Sequence, residues 1–388
     1  MKNAKLAASL FFLAALTGCG KGNKEADIIT IDVNATHPEK ELILQDFMNV
    51  EYIPLETTDE FITQGDVMDI GEKYIIVKNW NNSGDIFIFD RKSGKGIRKI
   101  NRKGQGAEEY TFINGVTLDE DADEMFVNCA STKKIYVYDL SGNFKRSFSH
   151  TEGSEYLHVY NYNKDHLIRY DMSLYYKEGE KRGDGTYHAI ISKQDGSIAQ
   201  SIAVPFDVIK APVVQQGDGV AVTSVRPIIP YQDKWLIVET SSDTVYNYIP
   251  EENRLRPFLV RTPSQDPEIL LTMGTLTDRY YFMQTIKKVF DFTTGRGFPL
   301  TDLVYDTQEK AVFSVSVLNG DYVKKQAADM TSHPVNSEIA CFQTLAANRL
   351  VEAYEEDGLK GKLKEIAANL NEESNPVLML VRNKKPGN

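Results

Sequence analysis

From about Val50 to Val317 the chain alternates apolar and polar residues in short runs, each closed by turn residues. That period of two predicts strands with buried faces. Tyr74–Lys78 (YIIVK) leads to Asp85–Asp90 (DIFIFD), a Ser93-Gly94 turn and Gly96–Ile100. Glu124–Asn128 (EMFVN), Lys134–Asp139 (KIYVYD) and Phe144–Phe148 repeat the same order around a Ser141-Gly142-Asn143 turn. Trp235–Glu239, Thr244–Ile249 and Leu255–Leu259 repeat it again, as do Tyr280–Met283, Leu303–Asp306 and Ala311–Val315. Tyr187–Ser192 and Ser197–Ala203 form one more outer hairpin.

The repeat has a measurable step. Asp90 to Asp139 is 49 residues, and Asp139 to Asp306 is 167, three steps of about 56. A self-similar unit of four strands near that length predicts an all-β fold, a six-bladed β-propeller, because one blade cannot bury both faces alone and must stack in a ring. Five outer hairpins are internal. The sixth blade is expected from the ends, with Glu41–Leu44 and Val50–Leu55 meeting Val377–Val381.

A helical segment, about residues 337–370, is expected to pack on the ring. Ser337 is its predicted cap, and Ile339, Phe342, Leu345, Ala346, Leu350 and Ala353 fall on one face. Asp357-Gly358 breaks the pattern; Leu359, Leu363, Ile366 and Leu370 make a second stripe, and the closing strand 377–381 follows.

Residues 1–18 read as an export signal: Lys2 and Lys5, then the apolar Leu6–Leu16, far short of the ~20 residues of a spanning helix. Leu16-Thr17-Gly18-Cys19 resembles a bacterial lipobox, so Cys19 is the predicted lipidation site and residues 19–30 a tether. The propeller then occupies residues 31–388. Gly20–Lys24 carries two lysines and no acid, which favours an outer-membrane anchor facing the periplasm over surface display.

Val50–Thr57 (VEYIPLET), the loop Gly104-Gln105-Gly106-Ala107-Glu108-Glu109-Tyr110 and Leu363–Val381 together resemble a family of six-bladed β-propeller lipoproteins of Bacteroidota, similar to the NHL-repeat propellers. Ala107-Glu108 stands where the family usually has Pro-Gly. The resemblance implies an architecture and an envelope address, with no agreed reaction and no catalytic residue.

The formal charge of −11 leaves no basic footprint for a general nucleic-acid binder, so nucleic acid is not an expected partner. The expected function is a binding or scaffold module held on the membrane, with a small molecule, glycan, peptide or envelope protein as partner. The alternative is an NHL-like enzyme of lyase or lactonase type, with a metal on the central axis. No residue is assigned to catalysis or to a metal, and no cofactor is expected. The acidic run Asp119–Glu124 lacks the glycine and glutamate of a calcium loop and reads as a hairpin turn. His150, His158 and His166 recur every eight residues and read as unrelated strand histidines rather than a zinc set. Cys129 and Cys341 are expected to be buried free thiols.

Two segments break the blade rhythm, Asp171–Thr186 and Lys287–Leu300, and each mixes aromatic with basic residues. The candidate ligand-binding residues are Asn114, His158 and Arg226 inside a funnel, with Tyr175, Tyr176, Arg182, Arg296 and Phe298 around its mouth. Simple hairpin-length variation remains open for the insertions, and an ion pair with Asp69 remains open for Arg226.

Overall fold

The computed structural model describes residues 28–231, 234–264, 266–332, 336 and 338–384. The predicted signal, Cys19, most of the tether, Ser337 and the last four residues lie outside them. Six blades form a ring. Blade 1 is Asp66–Ile70, Tyr74–Lys78, Asp85–Asp90 and Gly96–Asn101, numbered outward from the axis. Blade 2 is Gly115–Asp119, Glu124–Cys129, Lys134–Asp139 and Phe144–Ser149; blade 3 is Tyr156–Asn161, His166–Asp171, His188–Ser192 and Ile198–Ile202. Blade 4 is Ile228–Tyr231, Lys234–Ile237, Thr244–Ile249 and Arg254–Arg261, and blade 5 is Ile269–Leu276, Tyr280–Lys287, Leu300–Asp306 and Ala311–Leu318.

The strict alternation explains the ring. In Asp85–Asp90, Ile86 and Ile88 join the apolar cluster shared with blade 2, while Phe87 and Phe89 join the one shared with blade 6. Each blade junction holds one such cluster, so every blade buries both faces.

Blade 6 is composite. Ile339–Leu345, Val377–Asn383 and Met48–Pro54 pair antiparallel, which ties the two ends of the chain together. The segment Ala327–Ser332 lies on the inner side of Ile339–Leu345. The Met330 carbonyl accepts from Thr275 N–H of blade 5 at 2.8 Å, and Ser332 Oγ donates to the Phe342 carbonyl at 3.2 Å. Gly274 makes this approach feasible, since a Cβ there would stand 2.4 Å from the Met330 carbonyl oxygen.

Two expectations change. Ile339–Leu345 is a strand and not the start of a helix; only Ala347–Glu355 and Gly361–Ala367 are helical. The stripe at three- and four-residue spacing overlapped a strand buried between blades 5 and 1, where tertiary packing overrides the helical pattern. Cys341 therefore sits in a strand, and both it and Cys129 are buried and free. Glu39–Ile43 does not join the closing blade. It runs parallel to Ala311–Leu318 as a fifth strand of blade 5, as Ile29–Ile31 does beside Arg254–Arg261 of blade 4. The N-terminal lead thus covers two outer edges that would otherwise expose unpaired backbone.

All the long excursions lie on one face. The upper face carries the blade-to-blade connections and the second-to-third-strand loops: the 3₁₀ turn Met172–Lys177, the hairpin Val213–Gln216 with Gly219–Val222, the small hairpin Phe290–Asp291 with Arg296–Gly297, and the two helices. The lower face has short first-to-second-strand turns.

Candidate functional site

The short turns of the lower face surround a cavity of about 580 Å³. Blades 1, 2, 3, 4 and 6 all contribute to its wall, which places it on the ring axis. Its apolar side is a shelf of three aromatic rings. Tyr160 is the penultimate residue of the inner strand of blade 3 and Tyr162 follows two residues later, on the same side by the period of two. Trp235 of blade 4 lies 6.3 Å from Tyr160 and 5.8 Å from Tyr162, centroid to centroid, with tilted planes.

Facing the shelf is a carboxyl, Asp69. Its Oδ2 accepts from Leu118 N–H of blade 2 at 2.7 Å and its Oδ1 from Ile70 N–H at 2.8 Å. Burial pushes its pKa up to about 6, against those two bonds, and the charge of Glu120 adds to the rise. Glu120 is itself committed: it accepts from the backbone N–H groups of Glu72, Lys73 and Tyr74 at 2.9–3.0 Å. Gly71 leaves room for it, because a Cβ there would meet Glu120 Oε1 at 2.1 Å. Asp119 is held by Lys193. Asp69 is thus a buried carboxyl in the cavity wall, while Glu72 and Asp121 add acids and Lys73 and Lys234 add cations to the lining.

Higher on the axis, burial draws the pKa of Arg226 down while Tyr160 and Asp329 oppose that change. Tyr160 senses both Arg226 above and Asp69 below. Asp69 is anchored by backbone amides, so the ion pair considered for Arg226 is not what holds Asp69 in place. His158 stands beside Arg226, with a ring nitrogen bonded to the Val225 carbonyl, and burial holds its pKa near 4. It is neutral at pH 7.

The other predicted residues scatter. Asn114 is exposed and its Oδ1 accepts from Ala130 N–H at 2.7 Å, closing the start of blade 2. Tyr175 is 5% exposed and packs in the core between blades 3 and 4. Tyr176, its neighbour, is 71% exposed and donates to Glu155 at 3.3 Å. Arg182 stacks on Phe206 at 5.2 Å. Arg296 is exposed on the small hairpin of blade 5. Phe298 is buried against Phe290, 5.8 Å between rings, and is a core residue rather than a mouth residue. The structure puts Tyr175 and Phe298 in one apolar cluster at the junction of blades 3 and 4, sets His158 beside Arg226 on the axis, and leaves Asn114, Tyr176 and Arg296 exposed.

The three spaced histidines serve separate strands: His150 stacks on Tyr156 and His166 bonds Asn163. Among the described residues no three His, Cys, Asp or Glu side chains converge as metal ligands. Sequence reasoning missed the lower shelf because its members come from turns some 75 residues apart, as with Tyr160 and Trp235. The one local signal was rarity: Trp235 is one of 2 tryptophans.

A family model described as a six-bladed β-propeller, DUF5128, matches residues 20–340. The chain belongs to this family. Among solved structures, a protein of Bacteroides fragilis described as exported aligns with a TM-score of 0.58 at 14% identity, over 92% of this chain and 99% of its own. A duf4221 family member from Bacteroides vulgatus aligns at 0.48 and 10% identity, over 87% of this chain and 98% of its own. A search of curated proteins gives no match. The family and the first of these structures share the ring; identity this low carries no side-chain chemistry across.

Proposed function

We propose that this propeller is an envelope lipoprotein, anchored through Cys19, that binds a polar partner such as a glycan or a peptide in the lower-face cavity. The observation that carries this reading is the cavity itself. About 580 Å³ on the ring axis combines an aromatic shelf with a carboxyl of raised pKa. Concave sites with a few convergent polar groups are where proteins bind ligands. Tilted aromatic faces receive the C–H surface of a sugar or an aliphatic side chain, while Asp69, Lys73 and Lys234 fix its polar groups. The export signal and lipobox at residues 1–19 support the envelope address, as does the description of the Bacteroides fragilis propeller as exported. The acid-free stretch after Cys19 supports a periplasm-facing orientation over surface display.

The test is a glycan array and a peptide library probed with the mature protein, each hit then titrated by calorimetry. Trp235→Ala should weaken a bound hit by about tenfold or more with the melting temperature held, since the ring is half-exposed and carries contact area. Hits that bind Trp235→Ala and Asp69→Asn as tightly as the wild type would remove the cavity from the function.

A further inference from the structure

The charges around the lower-face cavity do not balance. Among the described residues, six carboxyl side chains line it against two lysines. Most of them are already answered. Lys193 pairs with Asp119, and Arg91 and Arg382 pair with Glu338. At the rim the exposed Lys73 and Lys234 stand with the exposed Glu72 and Asp121, two charges of each sign. That leaves Glu120 and Asp69. Glu120 spends its charge on three backbone amides. The groups that act on the charge of Asp69 are two amides, which favour it, and Glu120, which opposes it; no cation is among them.

The lone pairs of Asp69 give the same result. An ionised carboxylate offers about four acceptor positions. Leu118 N–H takes one on Oδ2 at 2.7 Å, and Ile70 N–H takes one on Oδ1 at 2.8 Å. About two remain to accept from a guest.

The rings decide what kind of guest. Trp235 is 6.3 Å from Tyr160 and 5.8 Å from Tyr162, its plane tilted by 44° and 34° to theirs, so the three faces form a shelf that is not flat. All three rings are half-buried, and Tyr160 senses the charge of Asp69. The face of an aromatic ring carries negative potential and attracts a cation within about 6 Å of its centroid. Ring faces and a carboxylate in one wall therefore favour the same sign of charge. An anion would meet Asp69 and Glu120, and a neutral guest would leave a buried carboxylate without a counter-ion. Arg226 acts on Tyr160 from higher on the axis, but it does not line the cavity, and Asp329 lies near it. A bare metal ion would leave the shelf uncovered; a cation on a carbon frame covers the rings and reaches the carboxylate together.

We infer that the guest of the lower-face cavity is an organic ammonium ion, its carbon frame on Tyr160, Tyr162 and Trp235 and its N–H groups donating to Asp69. This rests on the reading of the cavity as the binding site and adds the sign of the charge that it takes.

The experiment titrates the mature protein by calorimetry with butylammonium and 2-phenylethylammonium, each beside the neutral alcohol of the same frame, 1-butanol and 2-phenylethanol. The pH is about 7.5, above the Asp69 pKa of about 6, so carboxylate and ammonium are both charged. At least one ammonium ion should saturate the protein at millimolar concentrations or below, and its alcohol should bind about tenfold more weakly or not at all. Asp69→Asn should weaken the ammonium ion about tenfold and leave the alcohol within about twofold, a split that general damage to the fold would not produce. Trp235→Ala should weaken both guests. The comparison of ammonium ion with alcohol on the wild type stands even where Asp69→Asn is unstable. Equal affinity for the two would overturn the inference, as would an ammonium ion that binds Asp69→Asn undiminished or no saturation by either ammonium ion. A hit without a cation that still needs Trp235 would overturn the charge while keeping the cavity as the binding site. Hits that all ignore Trp235→Ala and Asp69→Asn would remove the cavity itself, and this inference with it.

Discussion

Val381, three residues before the last described residue, pairs across the closing blade with Val50 of the strand Met48–Pro54. The strand that holds Val381 also packs Leu378 and Leu380 against blade 1 and Val377 and Met379 against blade 5. One strand therefore seals two junctions at once. Deleting Pro376–Asn388 removes five fully buried apolar side chains, each worth about 1.5–3 kcal/mol, against a total stability of about 5–15 kcal/mol for an ordinary domain. The truncated protein should show no cooperative melt by circular dichroism. Leu380→Ala, the milder version, should lose about 2–5 kcal/mol in urea titration. A truncated chain that melts like the full one would mean that the ring closes by other means.

Blade 6 is also clamped to blade 1 by charge. Arg91 donates from both terminal nitrogens to Glu338, at 3.0 and 2.9 Å, and to the Gly71 carbonyl at 2.8 Å. Arg91, and then Arg382, bring the Glu338 pKa down to about 2 from an ordinary 4.5. A carboxyl depressed in the folded state contributes stability above its unfolded pKa, and that contribution fades as pH falls through the folded value. Wild type should therefore lose more melting temperature than Glu338→Gln between about pH 4.5 and 2. Parallel acid titrations of the two proteins would show the clamp to be idle.

Gly274 lies where two inner segments cross closely. A methyl there would stand 2.4 Å from the Met330 carbonyl oxygen and 2.7 Å from Thr331 Cα, both backbone atoms that cannot swing aside. Gly274→Ala should cost about 1–3 kcal/mol, the range for overpacking, read as a drop in melting temperature with the far-ultraviolet spectrum retained. An unchanged melt would show that Ala327–Ser332 moves freely away from the axis.

The anchor is a separate expectation. Cys19→Ser should shift the protein from the membrane pellet to the soluble envelope fraction, since acyl chains supply membrane affinity at about 0.8 kcal/mol per buried CH₂. The mutant pelleting with membranes as before would count against lipidation at Cys19.

Local sequence determined the units of this protein. Period-two alternation, turn residues and a step near 50 residues are properties of neighbouring positions, and they specified strands, hairpins and the need for a ring. They also specified that Val50–Leu55 and Val377–Val381 were strands in search of partners. Tertiary structure decided the rest. Whether Ile339–Leu345 was a strand or a helix depended on a slot between blades 5 and 1 that no local pattern encodes. Tyr175 and Phe298 had the composition of a binding mouth, yet packing turned both into the core. The lower shelf of Tyr160, Tyr162 and Trp235 beside Asp69 exists only because ring closure brings turns of different blades to one axis. A strand's period says which way a side chain points; only the closed ring says what it points at.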